Sequence, residues 1–108
     1  MNKSLCSVFR GKEFLAEKAW GALDIAHIES VSIRLHWTNE PYHWHVNDGQ
    51  EVFAVMDGEI DMHYRLQGQV QVVRLHAGDI FHAGVGCDHV AHPVGEARIL
   101  VIEKAGSV

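Results

Sequence analysis

From Gly21 onward the sequence keeps a period of two, and that alternation restricts the chain to a sheet architecture. Successive side chains of a strand point to opposite faces, so one buried face reads as apolar at every second position. Residues 23–28 fit such a strand, and Val31, Ile33, Leu35 and Trp37 then alternate with Ser32, Arg34 and His36. Glu51, Phe53 and Val55 share one face while Val52, Ala54 and Met56 share the other, which makes that strand apolar on both sides. Asp57-Gly58 predicts a hairpin returning through Ile60, Met62 and Tyr64, and Gln67-Gly68 a second one into Val70 and Val72. Those three strands would form a meander. Ala77-Gly78-Asp79 and Gly84-Val85-Gly86 predict further turns. A short strand over 89–92 ends at Pro93, and Val94-Gly95-Glu96 turns into a last strand over 97–103. Short strands punctuated by glycine turns point to an all-β barrel or jelly roll.

Only the N-terminal part breaks the pattern. Residues 12–20 (KEFLAEKAW) predict a short helix, with Glu13 and Glu17 on one face and Phe14, Leu15 and Ala19 on the side that would dock. The expected organisation is therefore an N-terminal helical arm, 1–21, and a barrel domain, 22–108. A chain of 108 residues is long enough for one core and too short for two.

A net charge of -5, with Lys and Arg scattered, offers no basic surface for nucleic acid. No segment approaches the roughly 20 apolar residues of a membrane span, and the apolar run before Arg10 is shorter than the core of a signal peptide. Cys6 and Cys87 make no disulfide framework and no Cys-x-x-Cys, which predicts a reduced, cytoplasmic, soluble protein.

The compositional anomaly is histidine, nine of them against nine Lys plus Arg. His43, Trp44 and His45 are followed by a loop and by Glu51, and His89 stands behind the glycine turn at 84–86. In an extended segment a His-x-His pair projects both imidazoles from one face, so two neighbouring strands can aim His43, His45 and Glu51 at one point, with His89 arriving from elsewhere in the fold. His92, three residues after His89, falls on the opposite face and is expected outside the barrel. His82 and Cys87 stand near the second segment and are candidate catalytic groups. Phe53, Tyr64 and Trp37 are expected as pocket wall and core.

On these residues the chain resembles a small single-domain cupin. His43-x-His45, Glu51 and Gly58 are similar to the family's first motif, and Gly78-Asp79, Gly84, Gly86 and His89 to its second, over roughly residues 22–103. Five residues separate His45 from Glu51, one more than the family pattern, so the loop between them is expected to bulge. Gly84 stands where proline is usual. The resemblance implies a double-stranded β-helix barrel holding a divalent metal on His43, His45, Glu51 and His89. Three imidazoles and a carboxylate suit Mn, Fe, Co, Ni, Cu or Zn and are too rich in nitrogen for Ca or Mg.

Two functions are open from the sequence. One is a metal-dependent enzyme, an oxygenase or isomerase among the options, acting on a small organic molecule bound in the barrel. The other is a non-catalytic, metal-dependent module that binds or senses a small ligand. Val52, Ala54, Met56, Leu100 and Ile102 add a second apolar face that predicts a homodimer.

Overall fold

A computed structural model describes residues 5–107. Its strands are β1 (Gly21–Ile28), β2 (Val31–Thr38), β3 (His45–Val46), β4 (Glu51–Leu66), β5 (Gln69–His76), β6 (Ile80–Ala83) and β7 (Asp88–Lys104). They run β1-β2-β7-β4-β5, with β3 added on β7 and β6 on β4.

The two long strands organise the fold. β4 and β7 pair antiparallel from Glu51↔Glu103 to Tyr64↔His89, with register shifts around Asp57. Each serves two sheets. The first half of β4 carries β6, and the last part of β7 carries β2, which in turn carries β1. The second half of β4 carries β5, and the first residues of β7 carry β3. Two sheets that share bent strands enclose one core, the jelly-roll arrangement expected from the strand pattern.

The bend corrects the expected meander. Asp57-Gly58 is not a hairpin turn but a bulge inside a continuous β4, and residues 93–96 do not separate two strands because β7 runs through them. At Gly58 φ is +80°, and a Cβ there would come within 2.4 Å of the Glu96 carbonyl oxygen, so only glycine lets β4 approach β7 at the bend. Asp57, opposite Arg98 in register, accepts from its guanidinium Nη1 at 2.8 Å. The Gln67-Gly68 turn is as expected, both residues having positive φ (53° and 80°), which matches the twist of the flanking strands.

The core lies where both sheets meet. Val55, Ile60, Met62, Ala97 and Ile99 are at most 1% exposed, and Phe53, Leu75, Ala91 and Val101 surround them. Fully burying a large apolar side chain contributes about 1.5–3 kcal/mol, so this cluster, gathered from β4, β5 and β7, holds the two sheets face to face.

The N-terminal helix is not formed. Residues Gly11–Glu13 make a single 3-10 turn and Phe14 is already extended, with φ −68° and ψ 130°. A nine-residue helix is marginal by itself in water, and here the barrel offers the backbone other partners. Arg98 Nε donates to the Phe14 carbonyl at 2.7 Å, and Gly11 lies against Met56 on the outer face of β4.

Candidate metal centre

The site forms where the two sheets meet at one end of the core. Glu51 is the first residue of β4 and faces inward with Phe53 and Val55. His45 of β3 stands directly across from His89 of β7. Trp44, one residue earlier, turns the other way and is capped by the Arg65 guanidinium, 4.0 Å from its ring centroid. Arg65 also pairs with Asp88. This outer cation–π and ionic cluster fixes which face of β3 is inside, and so aims His45 at the interior.

His45, Glu51 and His89 each offer a ligand atom, and all of these atoms lie within 4.8 Å of one another. Glu51 Oε1 is 2.6 Å from His89 Nε2 and 4.0 Å from His45 Nε2. Both imidazoles are oriented in the same way. His45 Nδ1 donates to the His43 carbonyl and His89 Nδ1 to the Cys87 carbonyl, each at 3.0 Å. Because a carbonyl only accepts, Nδ1 carries the proton, which leaves Nε2 of each ring directed at Glu51.

The electrostatics separate the two rings. Burial lowers the His45 pKa, and the neighbouring His89 adds to that, so His45 is neutral near pH 7. Burial opposes charge on His89 too, but the hydrogen bond to Glu51, the Cys87 carbonyl and the Glu51 and Asp88 charges outweigh it and raise its pKa. A second carboxylate faces Glu51. Glu103 is its direct register partner in the β4–β7 pair, and burial plus the Glu51 charge push its pKa up to about 8. Like charges this close cannot both be ionised cheaply.

A cavity of about 340 Å³ opens beside this cluster, with Trp20, Arg34, His36, Tyr42 and Glu103 on its walls together with His45 and Glu51. The alternation of β2 builds one wall, since Ser32, Arg34 and His36 share its inner side. His36 Nδ1 donates to the Trp20 carbonyl at 3.0 Å, and burial lowers its pKa. Arg34 pairs through Nε with Asp24 Oδ1 at 3.0 Å.

Of the expected ligands, His45, Glu51 and His89 are brought together, whereas His43 is exposed, outside that group, and stacked on Tyr42 with ring centroids 4.0 Å apart. Its carbonyl accepts from His45 Nδ1, and its ring stands edge-on to the His45 ring with centroids 5.7 Å apart. Glu51 reaches the site although the loop before it is long. His82 is exposed, paired with Val52 on the outer side, and bonded to Gln50 Oε1 at 2.7 Å. The Cys87 thiol pKa is raised by burial and by Asp88 and Glu51, and the residue's backbone orients His89. His92 lies outside, its ring 4.2 Å from that of His63. Glu103, Arg34 and His36 escaped the sequence reading. Their signal was the polar half of an alternating strand, normally the solvent side, which here lines the open cavity beside the cluster.

No protein-family model and no curated protein matches the chain. Among solved structures it is similar to a cupin-2 domain containing protein from Shewanella frigidimarina, at 27% identity and a TM-score of 0.73, over 82% of this chain and 84% of that one. A cupin superfamily protein from Desulfitobacterium hafniense superposes with a TM-score of 0.77 at 14% identity, covering 94% of this chain and 93% of that one. An oxalate oxidase shares the fold at 22% identity and a TM-score of 0.60, over 68% of this chain and 41% of its own length. The chain is thus a small cupin-like protein, and its His–His–Glu cluster fits a metal-binding cupin. No helix among the described residues is long and apolar enough to cross a membrane.

Proposed function

We propose that the protein binds a divalent transition metal through His45, Glu51 and His89 and acts on a small organic molecule in the adjacent cavity. The observation that carries this reading is three convergent ligand atoms within 4.8 Å of one another beside a cavity of about 340 Å³. Two imidazoles presenting Nε2 and one carboxylate suit a first-row transition metal better than Ca or Mg. Three protein ligands leave coordination positions for a substrate, where the metal would act as Lewis acid or redox centre. The cavity walls would then select the substrate, with Arg34 offering a cation and Glu103 and His36 offering hydrogen bonds.

Elemental analysis of protein purified without chelator should find close to one transition-metal ion per chain. Substrate screening with that metal, including oxygen-uptake and isomerisation assays, should reveal turnover that His45→Ala removes. A metal-loaded protein that binds small ligands in the cavity but turns none of them over would establish the sensing or carrier role instead. An empty site under those conditions would exclude both.

Homodimerisation belongs to the same proposal. Val52, Ala54, Leu100 and Ile102 lie side by side on the outer face and are only partly covered, and Met56 is 39% exposed. Light scattering at micromolar concentration should give twice the chain mass, and a monomer would rule the dimer out.

A further inference from the structure

We infer that Asn47 is a fourth member of the metal site, supplying its side-chain oxygen where the sequence pattern suggests a third histidine; this rests on the metal-binding reading above.

Asn47 is 5% exposed, yet neither its Oδ1 nor its Nδ2 has a hydrogen-bond partner. Buried amides are almost always paired in folded proteins, and an orphaned one calls for a ligand or a function. Among the described residues the other such group is Trp37 Nε1, on a strand position whose neighbours at 36 and 38 face the other way. Asn47 follows His45 by two residues, and the burial alternates accordingly, with Val46 48% exposed between them. It also precedes Glu51 within the same short loop, so members of the cluster stand on both sides of it in sequence.

The loop is tied down from outside. Asp48 accepts from Lys104 Nζ at 3.1 Å and from Ser107 Oγ at 3.0 Å, and Gln50 accepts from His82 Nε2 at 2.7 Å. With both of these anchored outward, the buried side chain in this loop is Asn47. The long loop between His45 and Glu51 thus buries one side chain, Asn47, between two members of the cluster in sequence. The His-x-His pair divides its labour, His45 presenting a ring and His43 a carbonyl that orients that ring.

An amide oxygen is a neutral, hard donor. Joined to Glu51 and two imidazoles it gives a donor set with two nitrogens and two oxygens, which shifts preference toward Mn(II) and Fe(II) and away from Cu(II) and Zn(II) relative to a three-histidine site.

Calorimetric titration with Co(II), Mn(II) and Zn(II), together with the visible absorption of the Co(II) form, tests this on wild type, Asn47→Leu, Asn47→His, His43→Ala and His89→Ala. Asn47→Leu should weaken Co(II) binding at least about tenfold and change the Co(II) absorption bands. Its metal-free Tm should be unchanged or higher, because the orphaned amide is gone, and a merely structural asparagine would give the opposite. Asn47→His should bind metal and shift preference from Mn(II) toward Zn(II), a readout that stands even if the leucine variant folds poorly. His43→Ala should lose far less Co(II) affinity than His89→Ala, because the backbone carbonyl that orients His45 is kept. Wild-type affinity and spectrum in Asn47→Leu, or unchanged metal preference in Asn47→His, with binding lost in His89→Ala, would overturn the role of Asn47 and leave the metal site standing. Wild-type binding in His89→Ala would overturn the site itself.

Discussion

Glu51→Gln and His89→Ala are each expected to lower affinity for a divalent transition metal by on the order of 100-fold or more. Removing a residue that merely orients a ligand already costs about 10- to 100-fold, and these two side chains are direct donors in the proposed site. Glu51 is also the charge on which the site is built, 2.6 Å from one imidazole and 4.0 Å from the other. Glutamine keeps its shape and removes that charge, so the variant separates electrostatics from packing.

The pH dependence follows from the raised pKa values. In the metal-free protein His89 is raised chiefly through Glu51 against the cost of burial, and Glu103 is raised to about 8 by burial and by Glu51. A group raised on folding stabilises the fold below its unfolded pKa and loses that contribution as pH rises through its folded value. In the metal-free site Glu103 therefore keeps its proton below pH about 8 and sheds it above, and His89 keeps its own to a higher pH than an ordinary imidazole would. Metal uptake must displace the His89 proton, which is held to a higher pH than on an ordinary imidazole, so affinity should strengthen as pH rises. In Glu51→Gln the pH slope should flatten, since the charge that raises both groups is gone. Calorimetry in buffers of different ionisation enthalpy reads affinity and proton release together. Equal affinity and equal proton release in wild type and variant would exclude Glu51 from the site.

Gly58→Val is expected to be the most damaging single substitution in the framework, costing roughly 3 kcal/mol or more. Two effects add. The backbone has φ +80°, a conformation β-branched residues rarely adopt, and a Cβ would lie 2.4 Å from the Glu96 carbonyl oxygen and 3.0 Å from Ala97 Cα. The obstacle is backbone of β7, which cannot swing aside as a side chain would. Relief would require β4 and β7 to separate at the bend, and both Glu51 and His89 are carried by those strands. At roughly 4–8 °C per kcal/mol for a chain near this size, Tm should fall by more than about 10 °C, with metal affinity falling too. Thermal melting by circular dichroism checks this; a Tm within 2 or 3 °C of wild type, on the same roughly 4–8 °C scale, would mean that the bend relaxes in some other way.

The sequence by itself determined that the chain is built of strands and that glycine turns divide it, and it grouped His43, His45, Glu51 and His89, of which the last three are gathered in the fold. Strands and turns are local, the grouping of His43, His45 and Glu51 rests on parity, and His89 joined them through the motif resemblance. Alternation survives in any sheet that buries one face, and Gln67-Gly68 turns the chain by its own backbone preference. Only the tertiary structure decided the rest. Asp57-Gly58 has the chemistry of a hairpin turn but serves as a bulge, because β7 lies alongside both halves of β4 and keeps the strand going. The helix over 12–20 gave way to contacts with Arg98 and Met56 that no local pattern encodes. Most telling is the histidine pair. Sliding a period-two pattern by two residues leaves every face assignment unchanged, so the sequence could not distinguish His43 and His45 from His45 and Asn47 as the inward pair. The register of β3 on β7, with Trp44 held outside under Arg65, left His43 exposed and Asn47 buried.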